Sequence, residues 1–207
     1  EVSGLVENEL VRVQITSIGR DPDEDARTRS DLAALRALPG VKEATVVNQV
    51  PFVNSSWNSS IRLSQDQQRP TMTPTMYMAE ERFLETFGLK LVAGRGFEAE
   101  EFRDASAAMS GVGTGDVAAA IITRTMAERL FPGESAVGKT FYNGPDVLVR
   151  VVGVVEHLIR PSQMGGPTAR EYSMIFPMRP HYNFGGNYVI RTDPERRQEV
   201  LEAAVRT

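Results

Sequence analysis

Apolar and polar residues alternate in the segment ELVRVQITSI, placing Val11, Val13 and Ile15 on one face and predicting a strand. The next segment, DPDEDARTRSDLAALRALPG, changes period. Leu32, Leu35 and Leu38 share one side, acidic residues or Ser30 lie near the start, and Pro39-Gly40 closes the run, which predicts a helix. VKEATVVNQV returns to a strand and completes a β-α-β unit. PFVNSSWNSS is a polar loop carrying two aromatics, and short strands are predicted at Ile61 to Leu63 and Met72 to Met78. AEERFLETFG predicts a short helix with Phe83, Leu84 and Phe87 on one face and Gly88 at its end. DASAAMSGVGTGD, rich in Gly, Ala and Ser, reads as a flexible loop. A strand follows at Ala118 to Thr123, then a helix in which Met126, Ala127 and Leu130 share a face. Next come Phe141 and Tyr142, a turn at Asn143-Gly144-Pro145-Asp146, and a Val-rich strand. The Pro- and Gly-rich passage after His157 encloses one strand near Met174 to Phe176. NYVIRT and an amphipathic helix bearing Val200, Leu201, Ala204 and Val205 come last. The helix has no stop signal and the chain starts without methionine, so the expectation is an excised piece of a longer protein.

Residues 133 to 140, GESAVGKT, fit the phosphate-binding expression G-x-x-x-x-G-K-[ST] in every position. That chemistry needs a loop running from a strand into a helix N-terminus, where successive amides converge on the phosphates. Here the predicted order is helix, loop, strand, and Asn143-Gly144-Pro145 prevents a helix from continuing after Lys139. The expectation is a structural turn in which Gly138 relieves a strained backbone angle and Lys139 is solvated. A P-loop NTPase is the less favoured alternative.

The chain of 207 residues, 41% hydrophobic, is long enough to bury a core and fits one large or two small domains. Its 23 basic and 27 acidic residues leave a net charge of -4, with lysine only at Lys42, Lys90 and Lys139, so nucleic acid is not an expected partner. The absence of cysteine excludes disulfides, thiolate metal sites and cysteine nucleophiles. No run approaches the roughly 18 apolar residues of a membrane-spanning helix. The two histidines, His157 and His181, lack metal-ligand spacing, and the carboxylate groups Glu98-Glu100-Glu101-Asp104 and Asp21 to Asp25 read as solvated charges. No catalytic, cofactor-binding or metal-ligating residue is assigned. Asn54-Ser55-Ser56 and Asn58-Ser59-Ser60 fit the glycosylation sequon without pointing to a role. Arg95 between Gly94 and Gly96 reads as an anion site or, as preferred here, as a guanidinium tying a tight turn to nearby carbonyls. Phe52 and Trp57 are lids over a core or contacts for a partner protein.

Three segments, FLETFGLKLVAGRGF, AAAIITRTMAERLFPGESAVGKTFY and VLVRVVGVVEH, resemble in order and spacing the periplasmic core domain of MacB-type (FtsX-like) ABC transporter permeases. The likeness spans about residues 74–158 and extends to the rest by element order. The glycine-rich stretch 105–116 is longer than the family's usual loop, and 159–186 has no matching pattern. The resemblance implies an α+β fold of two lobes. A porter-like lobe of β-α-β units would comprise residues 1–92 and 180–207, and an inserted, mostly-β lobe residues 93–179. It also implies a non-enzymatic domain, without cofactor, on the periplasmic side of a bacterial inner membrane. This domain would couple cytoplasmic ATP hydrolysis to movement of a cargo such as a drug, peptide or lipoprotein. Implied partners are an ABC ATPase subunit or domain, a second permease copy, and a periplasmic adaptor or cargo protein. The alternative within the superfamily is a partner-scaffolding domain of an FtsX-like or lipoprotein-releasing permease. With no long heptad seam in the chain, the isolated piece is expected to be monomeric or weakly dimeric.

Overall fold

The computed structural model describes residues 3–15, 22–52, 56–109, 117–162 and 169–207. Two sheets carry the fold. In the smaller, β1 (Leu10–Val13) and β2 (Val41–Val47) flank the last strand, β12 (Asn187–Thr192), which is antiparallel to both. β1 and β2 therefore run the same way with β12 between them. The predicted β-α-β unit is a split one, and the C-terminal strand fills the gap. Helix α1 (Glu24–Arg36) connects the two strands. It starts where Asp23 accepts a 2.8 Å hydrogen bond from the Ala26 amide, satisfying one of the orphan donors of the first turn. Ile15, expected in the first strand, lies beyond β1 and is exposed.

Alternation along the strands decides what covers each face. Ala44 and Val46 of β2 and Tyr188 and Ile190 of β12 pack against Leu32 and Leu35 of α1 and against Val200 and Ala204 of the C-terminal helix. That last helix, α5, spans Arg197–Arg206. The opposite face presents Val47 and Val189 to Phe83 and Phe87 of α2 (Phe83–Phe87), which stops at Gly88 with φ 68°. A Cβ at Gly88 would sit 2.7 Å from Val6, because residues 3–9 thread past α2 before entering β1.

The larger sheet has the order β3-β8-β9-β7-β10-β4, with β5 also on β9. Its strands are β3 (Ile61–Arg62), β4 (Thr75–Met78), β5 (Leu91–Gly94), β7 (Ala118–Thr123), β8 (Thr140–Asn143), β9 (Val147–Val155) and β10 (Ser173–Phe176). β9 forms the predicted hairpin with β8 and runs parallel to β7, meeting a register shift near Gly153. The shift changes the phase of burial. Val149, Val151 and Val154 face α4 (Arg124–Leu130) with its Met126, Ala127 and Leu130, while Val152 and Val155 face the core shared with α2. This shared core contains Val47 and Val189 from the small sheet and Tyr77, Ile121, Val155 and Ile175 from the large one, so one apolar cluster cements both sheets.

Residue 92 does not coincide with a change of sheet. β3, β4 and the first half of β5 precede 93 and belong to the large sheet, whereas α2 packs on the small one. A two-stranded ribbon, β6 (Arg103–Asp104) parallel to β11 (Met178–Arg179), lies outside both sheets. The stretch expected to be loop from residue 104 instead begins with the end of β6 and helix α3 (Ala105–Met109). Alanine costs no side-chain entropy in a helix, and three of the five residues of α3 are alanine. The glycine-rich remainder, 110–116, lies outside the described residues.

Candidate functional site

The GESAVGKT segment joins α4 to β8, and the amides of Glu134, Gly138 and Lys139 donate to the chain's own carbonyls. Gly138 N–H donates to the Val151 carbonyl at 2.8 Å and Lys139 N–H to the Ala136 carbonyl at 3.0 Å, while Val151 N–H donates back to the Lys139 carbonyl at 2.9 Å. A phosphate cradle needs those amides free and a helix behind them; here they are spent on the turn, and Thr140 opens a strand. Lys139 Nζ lies 2.5 Å from Glu134 Oε2, a hydrogen bond that holds the Glu134 carboxyl below the usual carboxylate range. Lys139 is thus ion-paired at the surface rather than simply solvated. Gly138 has φ 86°, in the left-handed region.

Gly94 is the last residue of β5, where it pairs antiparallel with β9, and Arg95 and Gly96 follow it. Gly94 (φ 70°) could carry no side chain, since a Cβ would meet the Val152 carbonyl oxygen at 2.2 Å. Its register partner Gly153 is equally restricted, by the Arg95 carbonyl oxygen at 2.3 Å. Gly96 differs. A Cβ there would meet nothing within 4 Å. The Arg95 guanidinium donates to the Gly96 carbonyl at 2.9 Å and to both oxygens of Glu101 at 2.8 Å. These contacts raise the Arg95 pKa and lower that of Glu101. The anion on the arginine is an internal carboxylate, Glu101, and one nearby carbonyl, that of Gly96, is bonded as well.

Phe52 and Trp57 diverge. Trp57 is 37% exposed, stands edge-on to Phe184 with ring centroids 5.3 Å apart, and donates its amide to Gln49 Oε1 at 2.8 Å. Phe52 is 70% exposed and has φ 66°, a left-handed backbone that side-chain-bearing residues rarely adopt. His157 Nδ1 lies 3.8 Å from Glu171 and His181 Nδ1 3.1 Å from Glu24, neither in hydrogen-bonding geometry.

Sequence reasoning missed a cleft of about 700 Å³ between α1 and the β6–β11 ribbon. Leu32 and Val46 form part of its wall, and charges of both signs line it. On one side Arg36 Nη2 reaches Glu80 Oε1 at 2.6 Å. Glu80, buried, also accepts from the Thr45 hydroxyl at 2.8 Å and the Arg82 amide at 3.1 Å. On the other, Arg179 forks onto Glu81 and reaches Asp104 at 3.4 Å, its guanidinium stacked 5.5 Å above Phe102. Burial pushes the Glu81 carboxyl up, but the Arg179 hydrogen bonds and charge outweigh it and leave the pKa lowered. Arg29 of α1 completes the rim, 3.4 Å from Asp104. No signal in the sequence marks this cleft, because each pair joins residues distant in the chain.

The sequence profile of the MacB-like periplasmic core domain family matches residues 2–207. Two solved structures share the fold. The periplasmic region of MacB from Actinobacillus actinomycetemcomitans is 16% identical, with a TM-score of 0.55 over 98% of this chain and 82% of that one. The extracellular domain of the noncanonic ABC-type transporter YknZ from Gram-positive bacteria is 21% identical, with a TM-score of 0.54 over 86% of this chain and 80% of that one. Among curated protein sequences none matches significantly.

Proposed function

From its membership of the MacB-like periplasmic core domain family, to which this chain belongs, we propose that it is the extracytoplasmic, non-catalytic part of an ABC transporter permease. In this reading it moves as one body while ATP is hydrolysed on the cytoplasmic side, and passes that movement to a cargo held outside the cytoplasm. The family match along 2–207 carries the proposal. The turn at Gly138-Lys139 adds support, since its engaged amides leave no phosphate cradle in the one segment that spells one. The lobes on this reading are 1–92 with 180–207 and 93–179, with β3, β4 and β5 crossing between them because they lie in the large sheet. Partners on this reading are a cytoplasmic ABC ATPase, a second permease copy and a periplasmic adaptor. Phe52 is the leading contact residue and Trp57 the second.

The test is made on the permease reconstituted in membranes with its ATPase. Phe52→Ala is expected to lower cargo movement several-fold while ATP hydrolysis persists, and the isolated domain is expected to sediment as a monomer or weak dimer. A melting temperature that rises with Mg-ATP in the isolated domain would overturn the reading. The exposure of Phe52 also favours the partner-scaffolding alternative. Retention of a dedicated partner by the domain, lost in Phe52→Ala with no cargo moved by the intact permease, would establish that alternative instead.

A further inference from the structure

The geometry points to a flap, residues 103–109, that is clasped onto α1 by exposed polar contacts and opens the charged cleft when they are released. The root of the flap is fixed. Phe102 lies under the Arg179 guanidinium and edge-on to Phe97, which packs against the shared core, and Arg103 N–H donates to the Pro177 carbonyl at 3.1 Å. Next to the root, Asp104 of β6 meets Arg29 of α1 at 3.4 Å; beyond the buried Ala105 the Ser106 hydroxyl donates to Asp25. Among the described residues, none of the apolar side chains clustered on α1 comes from 103–109.

The imbalance between these two kinds of contact decides where the molecule yields. The two sheets are joined through a buried apolar cluster that includes Phe83, Phe87, Tyr77 and Ile121, whose separation would expose large apolar areas to water. The clasp is one half-exposed ion pair, Arg29 at 55% and Asp104 at 31%, with Asp104 shared with Arg179, together with the exposed Ser106–Asp25 hydrogen bond. Pairs of this kind contribute little and are screened by salt. Deformation is therefore concentrated at the flap, with Arg36–Glu80 holding the opposite end of the cleft in place. The inference concerns the chain by itself and does not rest on the permease reading.

Because the chain has no cysteine, spin labels can be placed without removing any. Labels at Ala33→Cys on α1 and Ala107→Cys on α3, both exposed, report the clasp; Gln198→Cys and Glu128→Cys report the two sheets against each other. Pulsed dipolar spectroscopy at low salt is expected to give one short distance across the clasp. Arg29→Gln, or about 1 M NaCl on the wild-type background, is expected to raise a longer component at least about threefold, while Arg29→Lys stays near wild type. The sheet-to-sheet distance should not change. An unaltered clasp distance under both perturbations overturns the proposal, as does an equal change in the sheet-to-sheet pair. If Arg29→Gln lowers the melting temperature enough to compromise folding, the salt comparison alone decides.

Discussion

Lys139 and Gly138 are neighbours with opposite sensitivities. Lys139 forms an exposed ion pair with Glu134, so Lys139→Ala should change stability within roughly ±0.5 kcal/mol. Gly138 holds φ 86° with nothing near its missing Cβ, so the penalty at this site is backbone strain alone, and Gly138→Val should cost about 1–3 kcal/mol. Thermal melts of both variants, with and without Mg-ATP, measure the ranking; the reverse order would mean that the lysine has a ligand. Glu81 supplies a pH test. Its folded pKa is lowered, so the stabilisation is present above the unfolded value and is lost as pH falls through the folded one. The melting temperature of Glu81→Gln should therefore lie below wild type at neutral pH, by an amount worth under about 1 kcal/mol given the partial exposure, and converge with it only once the pH has fallen below the lowered folded pKa.

At the scale of elements, β5 and β9 meet through two glycines, and the neighbouring glycine is a built-in control. Gly94→Ala drives a Cβ to within 2.2 Å of the Val152 carbonyl oxygen at positive φ, and is expected to cost about 2 kcal/mol or more. Gly96→Ala enters open space and should be neutral or stabilising by up to about 1 kcal/mol, because alanine narrows the unfolded ensemble. Denaturant titrations of the two variants give the comparison directly. Most elements were legible in the sequence because their signals are local: alternation at Val11 and Val13, the Leu32–Leu35 side of α1, Gly88 after α2, and the Asn143–Asp146 turn. α3 and the ribbon were not, since β6 and β11 are two-residue strands whose partners lie 75 positions apart, as Arg179 and Asp104 do. The cleft was hidden for the same reason. Arg36 at the end of α1 and Glu80 between β4 and α2, 44 positions apart, form a site only once those elements are in place.

For the whole molecule, the shared core predicts that the two sheets melt together. Phe83 is buried against Phe87 at 4.6 Å and Tyr77 at 5.9 Å between ring centroids. Phe83→Ala should cost about 3–5 kcal/mol and lower a single transition rather than split it into two. Calorimetry checks this through equality of the measured and van't Hoff enthalpies. Two separated transitions would show that the sheets are independent units.

The position of β12 between β1 and β2 also sets a schedule. Neither outer strand of the small sheet has its sheet partner until residues 187–192 exist, although β1 and β2 are made well before them. By contrast β7, β8 and β9 lie within residues 118–155 and can pair as soon as that stretch is available. Closing the longer loops costs more entropy before any contact compensates it, so the large sheet should lead and the small sheet should follow. In pulse-labelled hydrogen exchange during refolding, the amides of Ile121 and Val151 are expected to gain protection before those of Val11 and Val46. Equal protection times would mean that both sheets condense in one step. On the expected schedule, a nascent chain leaves β1 and β2 without their common partner until β12 has been made, and that interval is when Val11 and Val46 are open to a chaperone or to a neighbouring copy.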